Sequence, residues 1–89
     1  METTMQRVTL TNDWVKVADT SATSVLVQAL QLTGIVGPVE VVAAGSLPLA
    51  SVYGLVLEPT QWATRTELGT GHVYARAADR PGAVVVVGP

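Results

Sequence analysis

His72 is the single histidine of this 89-residue chain, so any serine–histidine or acid–base centre would have to be built around it. The serines offer it no activated nucleophile. Their neighbourhoods, Ala44-Gly45-Ser46-Leu47 and Ala50-Ser51-Val52, lack the strand–turn–helix elbow that presents a reactive hydroxyl. His72 itself stands in the alternating run His72-Val73-Tyr74-Ala75-Arg76-Ala77, and reads as an outer-face side chain beside Tyr74 and Arg76. Gly69-Thr70-Gly71 looks like part of a phosphate loop, but a phosphate cradle needs a helix N-terminus after the glycines, and a strand pattern follows here. Glu40, Glu58, Glu67 and Asp79 fall on different segments, with no spacing that pairs two carboxylates for glycoside hydrolysis. The chain has no cysteine, hence no disulfide and no thiolate ligand. No metal site and no cofactor are expected, and the chain is expected not to be an enzyme. The small-hydrolase alternative rests on His72 alone.

The aromatic residues are the next candidates. Trp14, Trp62, Tyr53 and Tyr74 are the whole set. Aromatic side chains dominate both cores and interfaces, which is the favoured role here. On an exposed β-surface the same rings can stack on sugars, and an exposed Trp62 among polar neighbours would favour that alternative.

Composition narrows the partners. Five Lys and Arg stand against seven Asp and Glu, a net charge of −2, and the basic residues Arg7, Lys16, Arg65, Arg76 and Arg80 are scattered. A nucleic-acid binder concentrates such residues in a stripe, so no nucleic acid is expected. No apolar run approaches the roughly 20 residues of a membrane span, and METTMQRVTL at the start lacks an apolar signal core. No membrane partner is expected, and synthesis in the cytoplasm is. Charged residues make up only 13% of the chain, about half the usual share. The surface is therefore expected either to be covered by Thr, Ser, Ala and Gln or to be buried in part against another molecule. A chain this short, without staples, also gains stability from assembly.

The elements that must position these residues are β-strands. Val occurs 16 times and Thr 11 times, and β-branched side chains suit a pleated sheet better than a helix. Gly and Pro punctuate the sequence at Gly34, Gly37-Pro38, Gly45, Pro48, Gly54, Pro59, Gly69, Gly71 and Pro81-Gly82. The pattern predicts strands at 6–10, 14–18, 22–32, 39–44, within 52–57, at 72–77 and at 83–87, with 45–51 a loop and 60–68 irregular or an edge strand. Leu26, Ala29, Leu30 and Thr33 have helical spacing, but Val25 and Val27 and the want of caps favour a strand there. The valine run 83–87 is apolar on both faces and requires either a central place in a sheet or a neighbouring copy. The expectation is an all-β domain spanning residues 1–89: a small antiparallel β-sandwich, jelly-roll-like, of about seven to eight short strands. Residues 1–6 are expected to form an N-terminal arm.

The strand motifs also carry a resemblance. The opening Arg7-Val8-Thr9-Leu10-Thr11-Asn12-Asp13-Trp14-Val15-Lys16-Val17-Ala18-Asp19 is followed by Ser24-Val25-Leu26-Val27-Gln28, Pro38-Val39-Glu40-Val41, Gly54-Leu55-Val56-Leu57, Gly71-His72-Val73-Tyr74-Ala75-Arg76-Ala77 and Gly82-Ala83-Val84-Val85-Val86-Val87. This series resembles small virion proteins of tailed bacteriophages, over nearly the whole chain. The resemblance implies a β-sandwich that decorates or cements the capsid surface of the virion, commonly as a homotrimer, with the major capsid protein as partner and no catalytic residues. Similar small domains sit on tails, necks or fibres, which is the alternative place, with carbohydrate binding as its function. The residues expected to touch partners are an arm of Met1, Glu2, Thr3, Thr4, Met5, Gln6 and Arg7, the tryptophans Trp14 and Trp62, and Leu47 and Pro48 of the 45–51 loop.

Overall fold

Alternating Val and Ala with polar residues makes half-buried strands, and the turn residues between them decide where each strand stops. The computed structural model describes residues 6–18, 26–29, 37–79 and 81–88. Eight strands lie among them: β1 (Gln6–Thr9), β2 (Val15–Ala18), β3 (Leu26–Ala29), β4 (Val39–Ala44), β5 (Leu55–Leu57), β6 (Trp62–Thr64), β7 (His72–Ala77) and β8 (Val84–Gly88). One helical turn, α1 (Arg65–Leu68), follows β6.

The strand pairing has a simple logic. Each strand pairs with its mirror in chain order: β1 with β8, β2 with β7, β3 with β6 and β4 with β5, all antiparallel. This is one long hairpin ribbon whose tip is the 45–54 connection. The ribbon then rolls up, so that β8 also pairs with β3 and β7 with β4. Two four-stranded sheets result, β1-β8-β3-β6 and β2-β7-β4-β5. That order is the jelly roll, the double-sheet solution to closing an antiparallel ribbon on itself. The fold is all-β, as the alternation and turn spacing predict.

The core lies between the sheets and is built of small side chains. Val39, Val41, Val73, Ala75 and Ala77 of the second sheet face Val27, Ala63, Val85 and Val87 of the first, with Leu10, Leu57 and Ala83 at the margins. Leu10 crosses from one sheet to the other: its N–H donates to the Ala83 carbonyl and its carbonyl accepts from Gly82, while Ala77 N–H donates to Thr11. The valine run takes the central of its two expected places, as β8 between β1 and β3.

Two expectations change in detail. Gln6 and Arg7 belong to β1, their backbones paired with Val87 and Val86, so they are not part of an arm. Met1, Glu2, Thr3, Thr4 and Met5 lie outside the described residues, and so does most of 22–32, of which 26–29 is strand rather than helix. The stretch 60–68 contains both an edge strand and a helical turn. Thr64 and Glu67 stand at capping-box spacing: the Glu67 carboxylate accepts from the Thr64 N–H at 3.3 Å and from its hydroxyl at 2.7 Å. Gly69, at φ 93°, ends the turn in the left-handed conformation that glycine adopts without strain.

Val85 is fully buried, whereas Val86 on the opposite face is only half-buried. Val85→Ala should lower unfolding stability by about 2 kcal/mol, and Val86→Ala by less than about 1 kcal/mol. Denaturant midpoints of the two variants check this; equal losses would contradict the assignment of faces.

Candidate interaction surface

Part of the outer face of the second sheet is covered, because the hairpin tip folds back over Trp14, Arg76 and Glu40. A row of side chains crosses this face at one level. Glu40 on β4 is opposite Arg76 on β7 and opposite Val56 on β5. Trp14 stands one residue before Val15, the partner of Ala75, which puts it on the far side of Arg76. The Arg76 guanidinium carbon lies 4.3 Å from the centre of the Trp14 ring, within cation–π range.

Arg76 spreads its donors over three acceptors. Its Nε donates to Glu40 Oε1 at 2.9 Å, Nη1 to the Ala50 carbonyl at 2.8 Å and Nη2 to the Val52 carbonyl at 2.9 Å. The other oxygen of Glu40 accepts from the Gly54 N–H. The Trp14 Nε1–H donates to the Leu49 carbonyl at 3.2 Å, and that carbonyl also accepts from the Val52 N–H. The charged pair is almost wholly removed from water, with side-chain exposures of 12% and 7%. Such a pair is tolerated only where its remaining hydrogen-bonding capacity is filled, and the loop backbone fills it. Gly54 closes the loop: a Cβ there would stand 2.5 Å from the Val41 carbonyl oxygen and 3.2 Å from the Trp14 ring.

The polar clamp holds a loop whose outer side is apolar. Leu47, Leu49 and Tyr53 project into solvent, the last at 88% exposure. Pro48 is half-buried between the two leucines. Beneath the loop, Asn12, Trp14, Pro48 and Arg76 line a cleft of about 260 Å³. Of the residues expected to touch partners, Leu47 is thus exposed, while Trp14 is buried at 8%. Trp14 therefore meets its own loop and not the surface, and bears on any contact only by holding Leu49. His72 and Tyr74 meet edge to face at 6.2 Å on the same side of the sheet, where Tyr74 is buried.

A second feature lies on the margin where β5 passes into β6. Leu55, Val56, Thr60, Gln61, Trp62 and Glu67 line an open groove of about 410 Å³. Trp62 is 57% exposed. The turn between the strands is closed by the Gln61 N–H on the Glu58 carbonyl at 2.9 Å. Thr60 takes φ 75° there, the position of a turn after proline that glycine or asparagine usually fills. The groove and the cleft beneath the loop share no lining residue.

Sequence reasoning passed over Glu40 and Arg76. The signal available was a Glu and an Arg, each flanked by apolar residues within a strand, in a chain with few charges. Among the described residues no group of His, Asp and Glu is arranged to hold a metal ion, and no helix is long and apolar enough to cross a membrane. In comparisons with protein families, curated proteins and solved structures, nothing matches this chain.

Removing one partner of a buried ion pair strands the other. Arg76→Met should therefore cost about 3–5 kcal/mol and speed hydrogen exchange at the Gly54 amide. Adding Glu40→Leu should recover much of the stability but not the slow exchange, because the loop carbonyls still lack their donor. Full recovery of both would show that Arg76 does not hold the loop. The two tryptophans separate in the same structure: acrylamide should quench Trp62 readily, and the Trp62→Phe variant, which emits from Trp14 alone, should resist quenching.

Proposed function

We propose that this chain is a structural protein of a tailed-phage virion, a homotrimer on the capsid surface that binds the major capsid protein and cements the expanded head. The observation that carries this is the loop at 45–54, an apolar surface held in one conformation by buried polar groups. A preorganised loop loses little conformational entropy on docking, so a small contact suffices. Leu47, Leu49 and Tyr53 supply the apolar anchors. Repetition of a modest contact across a shell supplies avidity, and the role asks nothing of a catalytic group. Jelly rolls serve in viral capsids and in lectins, which supports the reading at the level of fold analogy, alongside the strand motifs.

The exposure of Trp62 favours a second reading: a carbohydrate-binding module on a tail, neck or fibre. A tryptophan platform beside Thr60, Gln61 and Glu67 has the apolar face and polar rim that a sugar ring needs.

Quantitative mass spectrometry of purified particles decides between them. A decoration protein should be present in simple ratio to the major capsid protein, whereas a tail component should be present in a handful of copies. On isolated capsids lacking this chain, Leu49→Glu and Tyr53→Ala should each weaken binding by about tenfold with no change in melting temperature. Unaltered binding would remove the loop from the contact. Glycan binding abolished by Trp62→Ala, together with low copy number, would establish the second reading instead.

A further inference from the structure

The two margins of the sandwich are complementary to each other. One margin carries β1 and β2, joined directly by residues 10–14. The other carries β5 and β6, joined by residues 58–61. In each sheet these strands are terminal, with a backbone partner on one side only among the described residues. Exposed Arg7 and Lys16 lie on the first margin, exposed Glu58 and Glu67 on the second. Each margin also has one charge of opposite sign in its sequence, Asp13 on the first and Arg65 on the second. Two against one leaves the first net positive and the second net negative. Both carry apolar surface as well: Val15 is 40% exposed on the first margin, and Leu55, Val56 and Trp62 are exposed on the second.

Strand direction matches too. Neighbours are antiparallel throughout both four-stranded sheets, so with an even number of strands the two terminal strands of each sheet run in opposite senses. A second copy set beside the first in the same orientation presents its β1 antiparallel to β6 and its β2 antiparallel to β5. Both sheets can then continue across one seam.

We propose that copies of this chain associate head to tail, with the β1/β2 margin of one against the β5/β6 margin of the next. Terminal strands supply backbone hydrogen bonds, as in strand addition generally, and the opposed charges set which margin meets which. A heterologous contact of this kind makes a ring when its rotation closes. Strictly parallel copies would make an open row; a turn of about a third of a circle between neighbours, about an axis along the strands, keeps the terminal strands antiparallel and closes the contact after three copies, the trimer of the proposed function. The seam rests on that self-association and not on the capsid.

The test uses the purified full chain in sedimentation velocity at low and high salt. The unmodified chain should form a closed oligomer that weakens as salt rises. Arg7→Glu with Lys16→Glu makes both margins acidic, and Glu58→Lys with Glu67→Lys makes both basic. Each double variant should associate about tenfold more weakly or not at all, while an equimolar mixture of the two should pair unlike copies again, though not close the three-membered ring, whose third seam would join two like variants. Because Glu67 caps α1, Glu58→Lys alone serves as the second basic-margin variant, with circular dichroism confirming the fold. A monomeric unmodified chain, or double variants that associate as the unmodified chain does, would overturn the seam. Loss of capsid binding with the oligomer intact would overturn the capsid role alone.

Discussion

The buried Arg76–Glu40 pair decides what this domain presents to its surroundings. Each sheet of a sandwich has an inner and an outer face, and the outer one is wet unless something covers it. Here the hairpin tip covers the part around Trp14, Arg76 and Glu40, and hydrogen bonds to those side chains attach it. The guanidinium binds Ala50 and Val52, the carboxylate binds Gly54, and the indole binds Leu49. The loop's own apolar side chains, Leu47, Leu49 and Tyr53, are therefore left facing outward. Had the loop been held by its leucines, the outer surface would be polar and the interior apolar, the ordinary arrangement of a surface loop. The inversion puts rigidity inside and adhesiveness outside.

The core on the other face of that sheet is built of small residues. The ribbon pairs each strand with its mirror, and rolling brings β8 against β3 and β7 against β4. Valine and alanine at Val27, Val41, Val73, Ala63, Ala75 and Ala77 let the sheets approach closely. A core of such residues buries little apolar area per strand, and a domain this short is marginal by size alone. Polar interactions that tie the 45–54 tip to β4 and β7 thus carry a share of stability that a larger core would make unnecessary. Glycine at position 54 belongs to this economy: the loop returns so close to Val41 and Trp14 that no side chain fits between them.

Much of this fold is legible in the residues, and the limits of that legibility are physical. Strict alternation in His72-Val73-Tyr74-Ala75-Arg76-Ala77 locates β7 and identifies its inward set, since a period of two leaves little choice. The valine run at 83–87 demands a central place and has one in β8. The helical turn α1 is encoded by Thr64-Arg65-Thr66-Glu67 and Gly69, a capping box and a terminator, yet four residues are too few to show a helical period. Glu40 and Arg76 were harder still. Alternation says that they share the outer face of their sheet, but only the register of β4 against β7 places them opposite one another. Register depends on the whole ribbon, through the 27 residues that separate the strands. Trp14 shows the same limit from the other direction: its type suggests an interface, and burial under a loop 35 residues away in sequence reassigns it to its own chain.

Edges complete the argument, because a jelly roll of eight strands does not close. Among the described residues it leaves four terminal strands, and exposed terminal strands invite pairing with other chains. In this domain β5 and β6 are three residues each, short enough to limit indiscriminate pairing, and both are bounded by Glu58, Pro59 and α1. Shortness weakens any contact they make, so a useful association must engage both sheets at once. The direct crossings at 10–14 and 58–61 provide for this by placing the terminal strands of the two sheets side by side on each margin. A margin with two aligned strands and one prevailing charge is selective where a single bare strand would be merely adhesive.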